Sequence, residues 1–475
     1  MTRYSAKFSV SLAIVLVIAL AGVAFLLFED TDAPVVTLSH TFDTVSPNLP
    51  ITATIIDTAS PIKRVEVVAR YQENKIPVVA QTFTGNNRQQ KITFTLANTG
   101  LKNDDTFDLE ITAVDASFGG FGFGNKSKLI TPMRLDTTPP RISIKSSTPS
   151  VRKGGSSVVV YSISKEVQQT GVKVNDYFFP AFRQDNGDYL CFFAFPYNLD
   201  NKDFNPLLVT LDKAGNLIIP DLPVNRIHRQ FKHDTITISQ DFLDAKAAEF
   251  EVMAPGHMSD IERFLKINRQ TRRENALALL EIGKETAPNI LWKGSFLRLP
   301  RSAPRASFAD HRTYLWEGKV IDEQTHLGFD LASVRLAPVP AANSGTVVFA
   351  DYLGIYGNVV VIDHGLGLQS LYSHLNEIGV QVGRQVNKGD IIGKTGTTGM
   401  AGGDHLHFGI LLSGLEVTPL EWLDSRWIKD NVIDRVQAAG IPLPEFKVEA
   451  VQEPPVNTKK PVTGKKPPAQ RPRTR

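Results

Sequence analysis

The sequence has very little cysteine and almost no net charge. Cys191 is the only cysteine in 475 residues, which excludes an intramolecular disulfide framework and any metal site built from several cysteines. The formal net charge is only +3, so no chain-wide basic excess indicates nucleic acid, and we expect no nucleic-acid partner. The chain is too long for one hydrophobic core and predicts three or more domains.

Long hydrophobic runs are absent except near the N-terminus. Phe8–Phe28 is interrupted only by two serines and is long enough to cross a bilayer. Arg3 and Lys7 precede it, and positive charge stays on the cytoplasmic side. We therefore expect a cytoplasmic segment 1–7, a single-pass anchor 8–28 in the inner membrane, and all later domains in the periplasm. A signal peptide cleaved after Ala19–Ala21 is the alternative.

Two stretches of period-two hydrophobic alternation follow, at 32–135 and 136–228. Each begins near an Asp-Thr phrase and ends near an Asp that is followed by Gly-Asn, at Gly124–Asn125 and Gly215–Asn216. An all-β unit repeated after about a hundred residues resembles tandem bacterial immunoglobulin-like repeats. The resemblance implies two β-sandwich modules that act as a stalk or contact a protein partner.

The pattern becomes helical between 229 and 295. Ser239 begins one candidate helix, and Ser259 with Glu262 has the spacing of a capping box before a second. A third amphipathic stretch covers 273–282. This segment is either a packing scaffold or a cover that keeps the following domain latent.

Short β-like runs return from 296 to 428 and predict a compact antiparallel domain. His326 and Asp330 lie four residues apart around Gly328, which favours a bent loop over a helix face. His405 and His407 are two apart, so on a strand both face the same side. His374 lies in a third run, with Tyr372 expected on the same face. Histidines and one carboxylate in three segments indicate a transition-metal site.

The motifs HLGFD at 326–330, YSHL at 372–375 and HLHF at 405–408 resemble those of the lysostaphin-type (LytM-like) zinc endopeptidases of bacterial cell walls. The resemblance covers about 300–425. It implies a single Zn²⁺ held by His326, Asp330 and His407, with His374 and His405 as catalytic histidines. Which of the two histidines is the general base is left open. His364, outside the motifs, is interpreted as structural.

The C-terminal part is expected to form a helix or extension at 429–447 and a disordered, basic, proline-rich tail at 448–475. The predicted fold class is thus mainly β: an N-terminal transmembrane helix, two immunoglobulin-like modules, a short helical segment and a compact antiparallel catalytic domain. The expected function is zinc-dependent hydrolysis of the peptide cross-links of peptidoglycan. The alternatives are a non-catalytic scaffold or activator of another wall hydrolase, and a protease that acts on envelope proteins.

Overall fold

The computed structural model describes residues 15–19, 30–117, 123–443 and 446–448. It contains 43% strand and 15% helix, which confirms the expected mainly β class. The chain forms two compact units. The first contains the residues up to Ile142 together with Ile163–Thr170 and Leu208–Pro220, and the second contains Ser143–Ser162, Gly171–Leu207 and the residues from Asp221 onward.

The two predicted terminal segments lie largely outside the described residues. Of the anchor 8–28 only 15–19 are described, and of the tail 448–475 only Val448. Within the part of the chain that the structure covers, no helix is both long and apolar enough to cross a bilayer.

The first repeat folds into two sheets around one core. Its strands are β1 Val35–Leu38, β2 Thr44–Val45, β3 Ile51–Ile56, β4 Ile62–Tyr71, β5 Asn74–Thr82, β6 Gln89–Phe94, β7 Thr106–Asp115 and β8 Lys126–Leu135. The strand orders are β1-β3-β6 and β2-β8-β7-β4-β5. Alternate residues of β3, β4 and β7 point inward, and they form the apolar core of this repeat.

The second repeat is also built from short strands. They are β9 Ile142–Ser147, β10 Ser150–Arg152, β11 Ser156–Ile163, β12 Val167–Val174, β13 Tyr177–Pro180, β14 Phe182–Arg183, β15 Tyr189–Ala194, β16 Leu207–Asp212, β17 Leu217–Ile218 and β18 Asn225–Ile227. One sheet has the order β14-β15-β11-β9. The immunoglobulin-like identity of both repeats stays a prediction.

The helical segment contains the three predicted helices. α1 covers Gln240–Met253, α2 Asp260–Lys266 and α3 Arg272–Ile282, and π-helical residues Ile267–Thr271 join the last two. Ser239 caps α1 by accepting a hydrogen bond from the Phe242 N–H. Ser259 and Glu262 form the predicted capping box of α2. The segment also begins with a strand, β19 His233–Thr237, which the sequence analysis did not predict.

The region from 296 to 428 forms two sheets together with β19. The strands are β20 Ala303–Ala306, β21 Asp310–Trp316, β22 Lys319–His326, β23 Phe329–Ala332, β24 Pro338–Pro340, β25 Gly345–Tyr352, β26 Asn358–Asp363, β27 Leu368–Ile378, β28 Gln385–Val386, β29 Ile391–Thr395, β30 Leu406–Leu412 and β31 Leu415–Val417. The larger sheet has the main order β20-β23-β30-β27-β26-β25-β28, and the smaller has the order β19-β21-β22. All pairs in the larger sheet are antiparallel, as expected.

The helical segment and the larger sheet share one hydrophobic core. Phe250 of α1 and Phe264 of α2 are buried in the same cluster as Val361 of β26 and Leu371 of β27. Helices α4 Pro419–Leu423, α5 Ser425–Ile428 and α6 Asp434–Ala438 follow the last strand. The segment 240–282 therefore packs as part of the same fold as the larger sheet.

Candidate metal centre and active site

The pairing of two neighbouring strands places two of the predicted ligands side by side. Asp330 of β23 lies directly opposite His407 of β30 in the antiparallel register. His326 is the last residue of β22, and only Leu327 and Gly328 separate it from β23. Strand register and one tight connection thus bring together all three residues that the sequence predicted as ligands.

One atom from each of these residues converges on a common point. His326 Nε2 lies 3.0 Å from Asp330 Oδ1 and 2.9 Å from His407 Nδ1. The distance from His407 Nδ1 to Asp330 Oδ1 is 2.9 Å. All three residues are buried, and their facing atoms form a group that could hold a metal ion. Two nitrogens and one oxygen are a donor set that zinc accepts.

Gly328 is required for a reason that differs from the sequence interpretation. We expected its conformational freedom to bend the loop, but Gly328 is not among the residues with positive φ. A Cβ at this position would lie 2.3 Å from His407 Nε2. The glycine is therefore needed because the His407 ring occupies the space of a side chain.

His374 lies in a β-bulge of β27. The register between β26 and β27 shifts between Asn358 and Val360, and His374 has a φ of 61°, which is uncommon for a residue other than glycine. The expectation that Tyr372 shares its face is wrong, because the bulge breaks the alternation. The Tyr372 hydroxyl instead accepts a hydrogen bond from the Ala342 N–H at 2.7 Å.

His405 precedes β30 and joins the cluster from the same side as His407, as predicted. The ring centroids of His374 and His405 lie 4.9 Å apart, and those of His374 and His407 lie 5.7 Å apart. His405 Nε2 is 3.5 Å from Asp330 Oδ1. The structure thus brings all five predicted site residues into one cluster.

Backbone carbonyls orient three of the four imidazoles. The Nδ1 atoms of His326, His374 and His405 lie 2.9, 2.8 and 2.7 Å from the carbonyl oxygens of residues 307, 398 and 403. A proton on each Nδ1 donates to that carbonyl, so Nε2 has a lone pair when the imidazole is neutral and an N–H when it is protonated. The His407 ring has the opposite orientation to the other three. Its Nδ1 faces Asp330, and its buried Nε2 has no hydrogen-bond partner among the described residues.

The electrostatics of the cluster follow from burial and from the single carboxylate. Burial opposes ionisation of Asp330, but His326 and the hydrogen bonds from the histidines outweigh it and hold the pKa of Asp330 well below its usual value. Burial lowers the pKa of His407 to about 4 and the pKa of His374 well below its usual range. Burial also opposes the charge of His405, yet Asp330 raises the pKa of His405 overall.

Sequence reasoning missed Arg312 of β21. Its guanidinium Nη2 donates to Asp330 Oδ2 at 3.3 Å, and its buried Nε has no partner among the described residues. Arg312 occupies an ordinary strand position outside the motifs, so no local pattern marks it. Only the pairing of β21 with β22 reveals that it reaches the site.

Two cavities border the cluster. One, of about 330 Å³, is lined by the site histidines and by Ile238, Phe242 and Phe264 from the helical segment. The other, of about 350 Å³, lies beside Arg305, Gly403 and His405. The helical segment therefore forms part of the wall of the site.

His364 has the structural role that the sequence analysis gave it. It is fully buried, with Nδ1 2.8 Å from the Ser344 carbonyl oxygen and Nε2 2.7 Å from Ser370 Oγ. Burial lowers the pKa of His364 to about 4. It does not line the cavity that contains the other histidines.

Comparison with known proteins agrees with the geometry. The profile of "Peptidase family M23" matches residues 324–419, a range that contains all five clustered residues. The chain is 38% identical over 95 residues to the DD-carboxypeptidase/endopeptidase Mpg of Neisseria meningitidis, covering 20% of this chain and 22% of that protein. It is 36% identical over 96 residues to the peptidoglycan DD-endopeptidase ShyA of Vibrio cholerae, covering 20% of this chain and 22% of that protein.

The chain thus spans about a fifth of the length of the curated relatives that it matches. Among solved structures, the catalytic domain of lysostaphin from Staphylococcus simulans aligns over 26% of this chain and 94% of its own, with 28% identity and a TM-score of 0.23. Since the profile match and the curated relatives fall on the same stretch, residues 324–419 form a lysostaphin-type domain of peptidase family M23.

Proposed function

We propose that the protein is a zinc-dependent endopeptidase that hydrolyses the peptide cross-links of peptidoglycan. The observation that carries the proposal is the convergence of His326 Nε2, Asp330 Oδ1 and His407 Nδ1 within about 3 Å of one another, with His374 and His405 beside them. Peptidoglycan as substrate is supported by the name of the relative ShyA.

The donor set fits one zinc ion. Two imidazole nitrogens face each other at 2.9 Å, an arrangement that is favourable only when a proton or a metal cation lies between them. The nearby carboxylate of Asp330 balances the charge of a cation, and the Nδ1 contact of His326 to a carbonyl is the usual outer support of a ligating imidazole. His326, Asp330 and His407 would hold the ion.

A zinc ion held by three such ligands supplies Lewis acidity and lowers the pKa of a water to about 7. The chain supplies the groups beside it. His374 and His405 each keep a free Nε2, because their Nδ1 atoms contact carbonyls. One neutral imidazole accepts the proton of the attacking water on its Nε2, and the other imidazole, when it is protonated on both nitrogens, donates a hydrogen bond from its Nε2 to the oxyanion of the scissile carbonyl.

The location is also part of the proposal. Residues 8–28 would anchor the chain in the inner membrane with the M23 domain on the periplasmic side, and the two β repeats would act as a spacer or contact a protein partner. The basis is the charge asymmetry around the apolar run.

The decisive experiment is mass spectrometry of the fragments released from purified peptidoglycan by the zinc-loaded protein. We expect newly soluble muropeptides cut within their cross-links, and a loss of about 10²–10⁴-fold in rate for His405→Ala. His257→Ala, which changes an exposed histidine outside the cluster, is the matched control and should retain full activity. Absence of soluble fragments with the wild-type protein would refute the proposed substrate.

The two alternatives make different predictions. If the protein is a scaffold or activator, its His326→Ala variant should still support normal wall turnover in cells, because that role does not require the proposed metal ligand His326. A protease of envelope proteins would cleave a protein substrate while leaving peptidoglycan intact, and the same His326→Ala variant would abolish that cleavage.

A further inference from the structure

The two β repeats contain the same side-chain arrangement at their ends. In the first repeat, the Asn125 N–H donates to Asp115 Oδ1 at 2.7 Å. The Asn125 side-chain amide donates to Asp115 Oδ2 at 3.0 Å and to the carbonyl oxygen of Asp30 at 3.1 Å. This arrangement, called here the Asp-Asn clamp, ties the beginning of the repeat to its last turn.

The second repeat has an equivalent clamp. The Asn216 N–H donates to Asp212 Oδ1 at 2.8 Å. Its side-chain amide donates to Asp212 Oδ2 at 3.0 Å and to the carbonyl oxygen of Asp136 at 3.1 Å. Asp136 and Asp212 thus correspond to Asp30 and Asp115 of the first repeat.

In the second repeat, a cation from the chain itself lies between the two carboxylates. Lys165 Nζ is 2.5 Å from Asp136 Oδ2 and 2.8 Å from Asp212 Oδ2. It also donates to the carbonyl oxygen of Thr138 at 2.6 Å. One positive charge therefore compensates the paired acidic groups of this clamp.

The first repeat has a third carboxylate instead of the lysine. Asp57 follows β3, as Lys165 follows β11. One oxygen each from Asp30, Asp57 and Asp115 lies within 4.8 Å of the other two. Asp57 is 4% exposed and Asp115 is 0% exposed. The ion pairs formed by the described residues of this unit involve other carboxylates, such as that of Glu110.

Asp57 contains an atom that the protein does not satisfy. Its Oδ1 accepts hydrogen bonds from the N–H groups of Ala59 and Ser60 at 2.9 and 2.7 Å. Its Oδ2 is buried and has no partner among the described residues. A buried carboxylate oxygen without a partner, next to two further carboxylates, is costly unless a cation binds there.

We propose that Asp30, Asp57 and Asp115 bind one calcium ion. Every candidate ligand atom is an oxygen, which favours hard cations over zinc. Calcium accepts carboxylates in irregular geometry, whereas magnesium demands a near-ideal octahedron and retains its waters. The ion takes the place that the Lys165 ammonium occupies in the second clamp. This site is separate from the M23 cluster, and its test does not depend on the proposed peptidase activity.

The test is calorimetric titration of the 475-residue chain, freed of calcium on a chelating resin and then reloaded with zinc. Calcium chloride should titrate a single site with a dissociation constant of about 10⁻³ M or tighter, and magnesium chloride should bind at least tenfold more weakly. Asp57→Asn should abolish the calcium heat. Asp212 is the equivalent of Asp115 in the second clamp, so Asp212→Asn should leave the heat of calcium binding unchanged.

A second variant separates loss of the ion from loss of the fold. Asp57→Lys places in the first repeat the residue type of the second, so we expect a folded chain that no longer binds calcium. Hydrogen exchange of peptides from β3 and β7 should slow on calcium addition in the wild type and not in Asp57→Lys. Calcium binding that persists in either Asp57 variant, equal binding of magnesium, or a wild-type protein without a calcium site would overturn the proposal.

Discussion

At the scale of single residues, the contact between Gly328 and His407 leads to a sharp prediction. Gly328→Ala places a methyl group 2.3 Å from the His407 ring, so the ring must leave the position in which its Nδ1 faces Asp330. We expect zinc affinity to fall by about 10–100-fold, as for other changes that misplace a ligand, and peptidase activity to fall with it. Competition with a chromophoric zinc chelator measures the affinity.

Gly402→Ala is the matched control, because a Cβ at 402 has no atom within 4 Å. It should bind zinc as the wild type does. Equal affinity of the Gly328→Ala protein and the wild type would contradict the role given to Gly328.

Glu421 of α4 makes stability depend on pH. Burial raises its pKa to about 7 from the ordinary 4.5, although its carboxylate accepts a hydrogen bond from the Ser156 N–H at 2.7 Å. Between these two values the folded state binds more protons than the unfolded state. Glu421 therefore stabilises the second unit fully below about pH 4.5, and this contribution is lost as the pH rises through about 7.

Glu421→Gln should reduce the dependence of the unfolding free energy on pH. At about 1.4 kcal/mol per pKa unit, the wild type should lose about 3 kcal/mol more unfolding free energy than the variant between about pH 4.5 and pH 7. Urea unfolding at several pH values measures the difference. Glu73→Gln, at an exposed position of the first unit, should retain the wild-type slope, and an unchanged slope in Glu421→Gln would refute the assignment.

The sequence was sufficient to predict the five clustered side chains, because they lie within three motifs. It could not predict their surroundings. The bulge at His374 depends on a register shift against β26, and the carbonyls at 307 and 398 lie 19 and 24 residues from the histidines that they orient. Arg312 becomes part of the site only through strand pairing.

At the scale of elements, the helical segment contributes both to a hydrophobic core and to the wall of a cavity. Phe264 is fully buried within the core that α2 shares with β26 and β27, so a truncation that begins at Phe296 would remove part of that core. Phe242 is half-buried and lines the 330 Å³ cavity. Side-chain truncation at this wall is therefore a cleaner test of latency than deletion of the segment.

If the segment covers the site, Phe242→Ala should raise kcat/KM several-fold for cross-linked peptidoglycan and leave it unchanged for a short peptide. The physical reason is the wider entrance left by the missing ring. Steady-state rates on both substrates provide the measurement, with Leu277→Ala, an exposed position on α3, as the control. Equal rates for Phe242→Ala and wild type on both substrates would leave the segment with a packing role only.

Local signals decided which elements could be predicted. Ser239 and the Ser259–Glu262 pair mark helix beginnings through contacts within one turn, so the sequence alone located both. β19 is held by parallel pairing to β21, with more than seventy residues of chain between them. No short-range pattern contains that information, so the sequence predicts only a helical segment for this region.

At the scale of the whole molecule, the two compact units should respond to different metals. Zinc would bind only within the second unit, so its removal should leave the first unit unchanged. We expect hydrogen exchange of peptides from β23 and β30 to accelerate in zinc-free protein, while peptides from β4 and β5 keep their rates. Loss of protection in β4 and β5 after removal of zinc alone would contradict this separation.

The direct pairing of Asp330 with His407 limits how the M23 domain can vary in length. One residue inserted into β23 or β30 would turn its ligand to the opposite face of the sheet, because side chains alternate along a strand. These two strands therefore tolerate neither insertion nor deletion. Variation in length, and with it adjustment to substrates of different shape, must be confined to connections that contain none of the five clustered residues and none of the carbonyls that orient them.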